Sequence, residues 1–273
     1  MSALLDATPR SWPALRFGEV NVRRAKTKGD LGPSVSADVF VWADTQLREL
    51  PWLTRIGGKP WRPKGKPWPR DDNGVPLAFL GQICFADSKD ILQNELAGEV
   101  ALMFGTNHRG WISITDGSAL EWSPLKIETP EDGFGVPWTG ELPYAYQGVL
   151  HRTVQYPDWK AAEPAFKALG YKEGGSGVHG IQATSIGAYA SLPQGWPFEK
   201  GDGNTLIATL SSFYFRGRWP LCDIPSCLQK VYGDGRSEDL MFDKARDFGV
   251  GDAGAIWIYR DKTGKFKLDD AWG

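Results

Sequence analysis

The residues of this chain best suited to acid–base, nucleophilic or metal chemistry are three histidines, His108, His151 and His179, and three cysteines, Cys84, Cys222 and Cys227. Their spacing supports little of it. No His-Glu-x-x-His helix and no Cys-x-x-Cys pair accompanies the histidines. Cys222 and Cys227 bracket Asp-Ile-Pro-Ser and can offer two thiolates, but a closed zinc site needs four ligands and Cys84 is the only thiol left. A nucleophilic Cys84 or Cys222 needs His151 or His179 beside it, because a thiol ionises near neutrality only next to a base or a positive charge. Cys84 sits in the apolar run Leu-Ala-Phe-Leu-Gly-Gln-Ile-Cys-Phe and reads as a core residue. No Gly-x-Ser-x-Gly elbow occurs. Neither a metal nor a cofactor is expected.

Carboxylates offer a second chemistry. A glycoside hydrolase needs one carboxylic acid to donate a proton and a second carboxylate about 5 to 10 Å away to attack or activate water. Glu121, Asp202 and Asp252 are the candidates here. Asp202 and Asp252 lie in acidic glycine turns, as does Asp234, and a turn alone explains that pattern.

The third chemistry is recognition. Between Gly57 and Pro76 the chain has prolines at 60, 63, 67, 69 and 76 and glycines at 57, 58, 65 and 74, which leaves no room for a regular element. This spacing predicts an ordered loop whose Trp61 and Trp68 fold back over an apolar surface, with a disordered Pro-rich linker as the alternative. Thirteen tryptophans occur in the chain, and rigid rings give large contact area at low entropy cost. Trp61, Arg62 and Trp68 are therefore the expected partner-binding residues, with Trp61 or Trp68 the better candidate for an exposed ring. Lys59, Arg62, Lys64, Lys66 and Arg70 interleave with the tryptophans as a single-strand binder's cations would, but Asp71 and Asp72 dilute the patch and the net charge is −2. Nucleic acid is not expected as a partner.

Several elements must position these residues. Asp38–Trp42, Leu77–Phe85, Val100–Phe104, Trp111–Ile114, Thr205–Phe215 and Ala253–Tyr259 read as strands from their β-branched and aromatic content. Val100–Phe104 is apolar on both faces, which predicts a strand covered on both sides. Leu120–Trp122 and Leu125–Ile127 extend the sheet in short pieces, and Gly105–Gly110 is the expected turn before Trp111. Short helices are expected from Asp87 or Ser88 to Leu96, over Asp158–Leu169, and over Ser237–Ala245. Glycine and proline together number 52 of 273 residues (33 and 19), so turns are frequent and helices few. Residues 1–35 form an N-terminal arm and 36–273 a single domain. An odd number of cysteines, the absence of a signal-peptide pattern and the lack of a long apolar run predict a cytoplasmic chain without a membrane span.

The run Gly57-Gly58-Lys59-Pro60-Trp61, followed by Trp68-Pro69 and by Pro76, Leu77, Leu80 and Gln82, resembles the YwqG-like family, the DUF1963 domain of unknown function. A second glycine turn, Ile186-Gly187-Ala188-Tyr189, and a closing Gly251-Asp252-Ala253-Gly254 strand entry are similar to later parts of that family. Ala188 and Ala190 depart from the family's glycine and proline. The resemblance implies an α+β domain with a curved, largely antiparallel sheet and few short helices, built as one unit or as two similar halves. It implies structural turns at Gly57, Gly58, Pro60, Gly187, Asp252 and Gly254. It implies no chemistry: some members are suspected bacterial immunity proteins, and a chaperone group is distantly similar. The expected function is non-enzymatic protein binding, with a carbohydrate hydrolase or a small-ligand binder as alternatives.

Overall fold

The structure is a computed structural model, and it describes residues 35–43, 50–92, 96–108, 111–115, 117–131, 146–155, 184–187, 203–212, 222–223, 248–250 and 254–271. The strands are β1 (Val35–Ala43), β2 (Arg55–Ile56), β3 (Ala78–Cys84), β4 (Val100–His108), β5 (Trp111–Ser113), β6 (Ala119–Ser123), β7 (Tyr146–Gln155), β8 (Ser185–Ile186), β9 (Thr205–Ser211), β10 (Cys222–Asp223), β11 (Ala255–Arg260) and β12 (Phe266–Ala271). They form one sheet in the order β12-β11-β9-β8-β1-β7-β2-β3-β4-β5, with β10 on β1 and β6 on β4. Every ladder between these strands is antiparallel, and an isolated bridge joins Ile112 in parallel to Val250.

The sheet curls until its two ends meet. Trp122 of β6 lies 5.0 Å from Phe266 of β12 in an edge-on ring contact, and the Ile114 N–H donates to Asp270 Oδ2 at 3.3 Å. Residues opposite one another on a ladder share a face, so Phe40, Ile56, Met103, Tyr146, Ala208 and Ile258 line one continuous interior core. Val100–Phe104 is buried along its whole length, as its two-sided apolarity predicts.

Among the described residues, the charged side chain that enters that interior is that of Asp38. Asp38 on β1 is opposite Arg152 on β7; Arg152 Nε donates to Asp38 Oδ1 at 2.6 Å, and Ser88 Oγ donates to Asp38 Oδ2 at 2.6 Å. Burial pushes the Asp38 carboxyl above its ordinary pKa, against the pull of the Arg152 and Ser88 hydrogen bonds. Arg152 also reaches Asp90 at 2.6 Å, and that bond with Asp38 holds its own pKa well above the usual range. The triad ties the segment after β3 to the central strands.

The pairing around β2 and β3 recurs around β8 and β9. Ile56 is opposite Gly81 while the Gly57 N–H donates to Leu80 O; Ile186 is opposite Ala208 while the Gly187 N–H donates to Ile207 O. Thr54 Oγ1 accepts from the Cys84 N–H, and Thr184 Oγ1 from the Ser211 N–H. Thr54 O accepts from the Gly148 N–H of β7, and Thr184 O from the Phe40 N–H of β1. A bulge follows in each copy, between Phe79 and Gly81 in one and beside Ile207 in the other. Each short strand thus pairs with its own long strand and with the first strand of the opposite half, about the central pair Val41 and Val149.

Four expectations need correction or fall outside the described residues. The segment after Phe85 makes only a three-residue 3-10 turn, Ala86–Ser88, because the Ser88 hydroxyl is spent on Asp38 rather than on capping a helix. Leu125–Ile127 is not a strand; Glu99 Oε2 accepts the Leu125 N–H instead. β4 runs on through Gly105 to His108, which is opposite Trp111 of β5, so the strand takes up the first four residues of the turn expected over Gly105–Gly110. The helices expected over 158–169 and 237–245 lie outside the described residues; among the described residues no α-helix occurs, so the structure supports a curled antiparallel sheet but not the helical part of the α+β expectation. Among the described residues no helix is long and apolar enough to cross a membrane.

Gly148 marks where the central strands pass closest. A Cβ there would sit 2.9 Å from Phe40 Cδ1 and 3.1 Å from both Thr54 Cγ2 and Trp42 Cζ3. Gly148→Ala should therefore cost about 1–3 kcal/mol of stability by overpacking, measured as a lower denaturation midpoint at unchanged slope.

Candidate functional site

The Gly57–Pro76 loop lies on the outer face of β3, β4 and β6. Gly57 (φ 66°) and Gly58 (φ 71°) take consecutive left-handed conformations that turn the chain off β2 and onto that face. Gln82 of β3 then grips it. Its Oε1 accepts the Trp61 N–H at 2.8 Å, while its Nε2 donates to Pro51 O and Leu53 O, each at 2.8 Å. The Trp61 ring packs on Cys84 and Val100, 5.8 Å from Trp52, and its Nε1 donates to Pro124 O at 2.9 Å.

Arg62 is the centre of the loop. Its Nε and Nη2 donate to the two carboxylate oxygens of Glu121, each at 3.2 Å, in a bidentate fork. Nη1 donates to Lys66 O at 3.0 Å and Nη2 to Pro67 O at 2.9 Å, so the guanidinium also closes the turn that follows. Its carbon lies 5.1 Å from the centre of the Trp68 ring, within cation–π range. Lys66 Nζ adds a second cation to Glu121 Oε2 at 2.9 Å. Trp68 in turn packs edge-on to Phe104 at 5.3 Å and donates from Nε1 to Leu77 O at 2.7 Å.

The ordered loop expected from the proline and glycine spacing is observed, with Trp61 and Trp68 folded back over an apolar surface as expected. Trp61 is 7% exposed and Arg62 0%, and Trp68 is half-buried. Their polar atoms point at the protein's own carbonyls and, from Arg62, at the Glu121 carboxylate, and in this conformation Trp61 and Arg62 present nothing to a partner. The surface consists of Lys64, Gly65, Lys66 and Pro67 on one side and Arg70 and Asp72–Val75 on the other. The second stretch is fixed by Asp71, whose Oδ1 accepts the Asn73 and Val75 N–H groups at 2.9 and 2.7 Å, and by Arg70 Nη1 donating to Gly74 O at 2.6 Å. Val75, 57% exposed, is the exposed large hydrophobic residue among those described. Sequence reasoning missed it because a lone valine after Asn-Gly carries no pattern; Gln82 stood out only as a residue of the family resemblance, its grip on the loop hidden because a glutamine inside an apolar strand signals only that something must satisfy it.

The remaining turn residues of the sequence reading are placed as follows. Pro60 is buried and its carbonyl accepts the Arg62 N–H at 3.1 Å; Gly187 ends β8; Gly254 donates its N–H to Val250 O at 2.7 Å and accepts from Ser212. Asp252 and Asp202 lie outside the described residues. Glu121, the third hydrolase candidate, has both oxygens engaged by Arg62 and Lys66, the arrangement of an ion-pair carboxylate rather than of one poised to donate a proton. His179 and Cys227 lie outside the described residues, as do the side chains of His108, His151 and Cys222. Among the described residues no cluster of three or more His, Cys, Asp or Glu could hold a metal.

The profile of a domain of unknown function, DUF1963, matches residues 54–98. The match begins at Thr54, spans the glycine pair, the proline loop and β3, and bears out the family likeness of the Gly-Gly-Lys-Pro turn. No curated protein matches the chain.

Two expectations follow from this geometry. Removing one member of a buried ion pair strands the other, so Arg62→Met should cost about 3–5 kcal/mol, while Arg62→Met with Glu121→Leu should cost less than the sum of the single changes, read by chemical denaturation in a double-mutant cycle. Burial pushes the Cys84 thiol up to about 11. Alkylation of Cys84 in the folded protein at pH 8 should therefore run at least about 100-fold slower than that of a free thiol, measured by peptide mapping after iodoacetamide.

Proposed function

We propose that this chain is a non-enzymatic binding protein, an immunity or chaperone-like factor in role, whose protein partner docks on the outer rim of the proline loop. The observation that supports the reading is the locking of that loop by Arg62. A buried guanidinium joins Glu121, two loop carbonyls and the Trp68 ring, which fixes a proline-rich segment on a rigid sheet. A loop held in one conformation before binding loses little entropy when a partner arrives. Trp61, Arg62 and Trp68 then serve binding through the loop's shape, and the contacts fall to Lys64, Lys66, Arg70 and Val75.

The reading is tested by capturing the partner on the tagged full chain, identifying it by mass spectrometry, and measuring its affinity for folded variants. Arg70→Glu with Val75→Asp should weaken binding at least about tenfold at unchanged thermal stability, as loss of a well-packed contact does. Unchanged affinity in that folded double variant rejects the rim as the contact surface.

A further inference from the structure

Two exposed hairpin tips of the structure are built alike. In the first, Asp71 Oδ1 accepts the N–H groups of Asn73 and Val75 at 2.9 and 2.7 Å, the Gly74 N–H donates to Asp71 O at 3.0 Å, and the Asp71 N–H donates to Val75 O at 2.8 Å. In the second, Asp261 Oδ1 accepts the N–H groups of Thr263 and Lys265 at 2.8 and 3.1 Å, the Gly264 N–H donates to Asp261 O at 2.9 Å, and the Asp261 N–H donates to Lys265 O at 2.9 Å. Gly74 and Gly264 both take a left-handed φ, 78° and 85°. The turn therefore needs its aspartate and its glycine, while the residue before the glycine is free to vary. Threonine serves there in one tip and asparagine in the other.

Asparagine is the reactive choice. The chain has five asparagines, Asn21, Asn73, Asn94, Asn107 and Asn204, and of these Asn73 alone precedes a glycine. Asn73 and Gly74 are both exposed, and a Cβ built on Gly74 would meet nothing within 4 Å. Neither a side chain at 74 nor a neighbouring group thus bars the Gly74 nitrogen from the Asn73 carboxamide. That nitrogen is held in place by its bond to Asp71 O, at a solvent-exposed tip where local opening costs little.

We propose that Asn73 is a self-modification site: the folded chain deamidates there, and the reaction unlocks the turn. The Gly74 nitrogen forms a bond to Asn73 Cγ, the carboxamide C–N bond breaks, and ammonia leaves carrying the proton that the Gly74 nitrogen gave up. Water then opens the resulting imide ring at either carbonyl. One product is aspartate at 73; the other is isoaspartate, whose main chain runs through the former side chain and is longer by a single carbon. Solvent water is the one co-reactant. The imide has no N–H at Gly74 to give Asp71 O, the longer main chain of isoaspartate moves the Val75 N–H relative to Asp71 Oδ1, and either product sets a new negative charge beside Asp71 and Asp72. The same turn fixes Arg70 and Val75, so the effect on a partner rests on the reading of the rim given above. The chemistry does not rest on it.

The test incubates the full folded chain at about pH 7 and at about pH 8 and follows its peptides by mass. Loss of ammonia and gain of water add about 1 Da to the peptide that holds Asn73. The rate of that gain should rise about tenfold across the pH unit, because the attacking amide anion is a minor species whose population grows with hydroxide. Asn73→Thr, the residue that the second tip carries, should keep the melting temperature and leave the peptide at constant mass. In the isolated isoaspartyl product, hydrogen exchange at the Val75 N–H should run at least about tenfold faster, as it does when a protecting bond opens. An Asn73 peptide of unchanged mass in the folded chain overturns the site, whether or not the chain unfolded in guanidinium converts. A Val75 N–H equally protected in the isoaspartyl product overturns the unlocking. Each readout is made without a partner, so a failure of the rim as a contact surface is a separate result.

Discussion

A strand buried on both faces needs a cover on each, and β4 sets that demand for the whole molecule. The curl of the sheet covers its inner side. Its outer side must be covered by chain that leaves no backbone group unsatisfied against an apolar surface, and prolines ease this by having no N–H to satisfy. Their carbonyls remain. Side chains supply the missing donors: Arg62 to the carbonyls of Lys66 and Pro67, Trp61 to that of Pro124, and Trp68 to that of Leu77. Each of these side chains also packs, so the same residues fill the space and close the hydrogen-bond account. Arg62 could not do this alone, since its charge is itself acceptable in the interior only because Glu121 is beside it.

The repeated pairing of β2 with β3 and β8 with β9 explains how two short segments can be strands at all. Two residues cannot hold a ladder unaided. Each pair is clamped between a long strand of its own half and the first strand of the other, with a threonine carbonyl and hydroxyl before it bonding to both neighbours. The exchange ties the halves together at their centre, where Gly148 lets Phe40 and Trp42 approach. Differences between the copies then mark positions that the architecture leaves open, of which Arg55 against Ser185 is one.

Much of the frame was legible in the sequence. Alternation and β-branched content located β1, β3, β4, β9 and β11, and the glycine and proline spacing announced an ordered loop with its turn at Gly57 and Gly58. The errors have physical causes. Ser88 looks like a helix cap because a hydroxyl before a short run usually is one, yet the buried Asp38 carboxylate competes for it across fifty residues of chain. Trp61 and Arg62 look like a partner-binding aromatic and cationic pair because sequence does not show that Glu121 and Gln82, each visible in it for another reason, draw them inward. The family likeness placed the loop correctly and included Gln82, but the matched segment ends at residue 98, before Glu121 appears.

The closure of the sheet by side chains has a consequence for solubility. Among the described residues β6 and β12 each have one hydrogen-bonded neighbour, β4 and β11, so each has a row of backbone donors and acceptors that no described strand pairs, of the kind that recruits further strands from other molecules. Here the two rows confront one another within a single chain, with Trp122 and Phe266 wedged between them and Lys267, Asp269 and Asp270 placing charge along β12. A curled sheet that stops short of closing its last ladder thereby shields both of its edges against edge-to-edge aggregation without the register that a fully hydrogen-bonded barrel must satisfy.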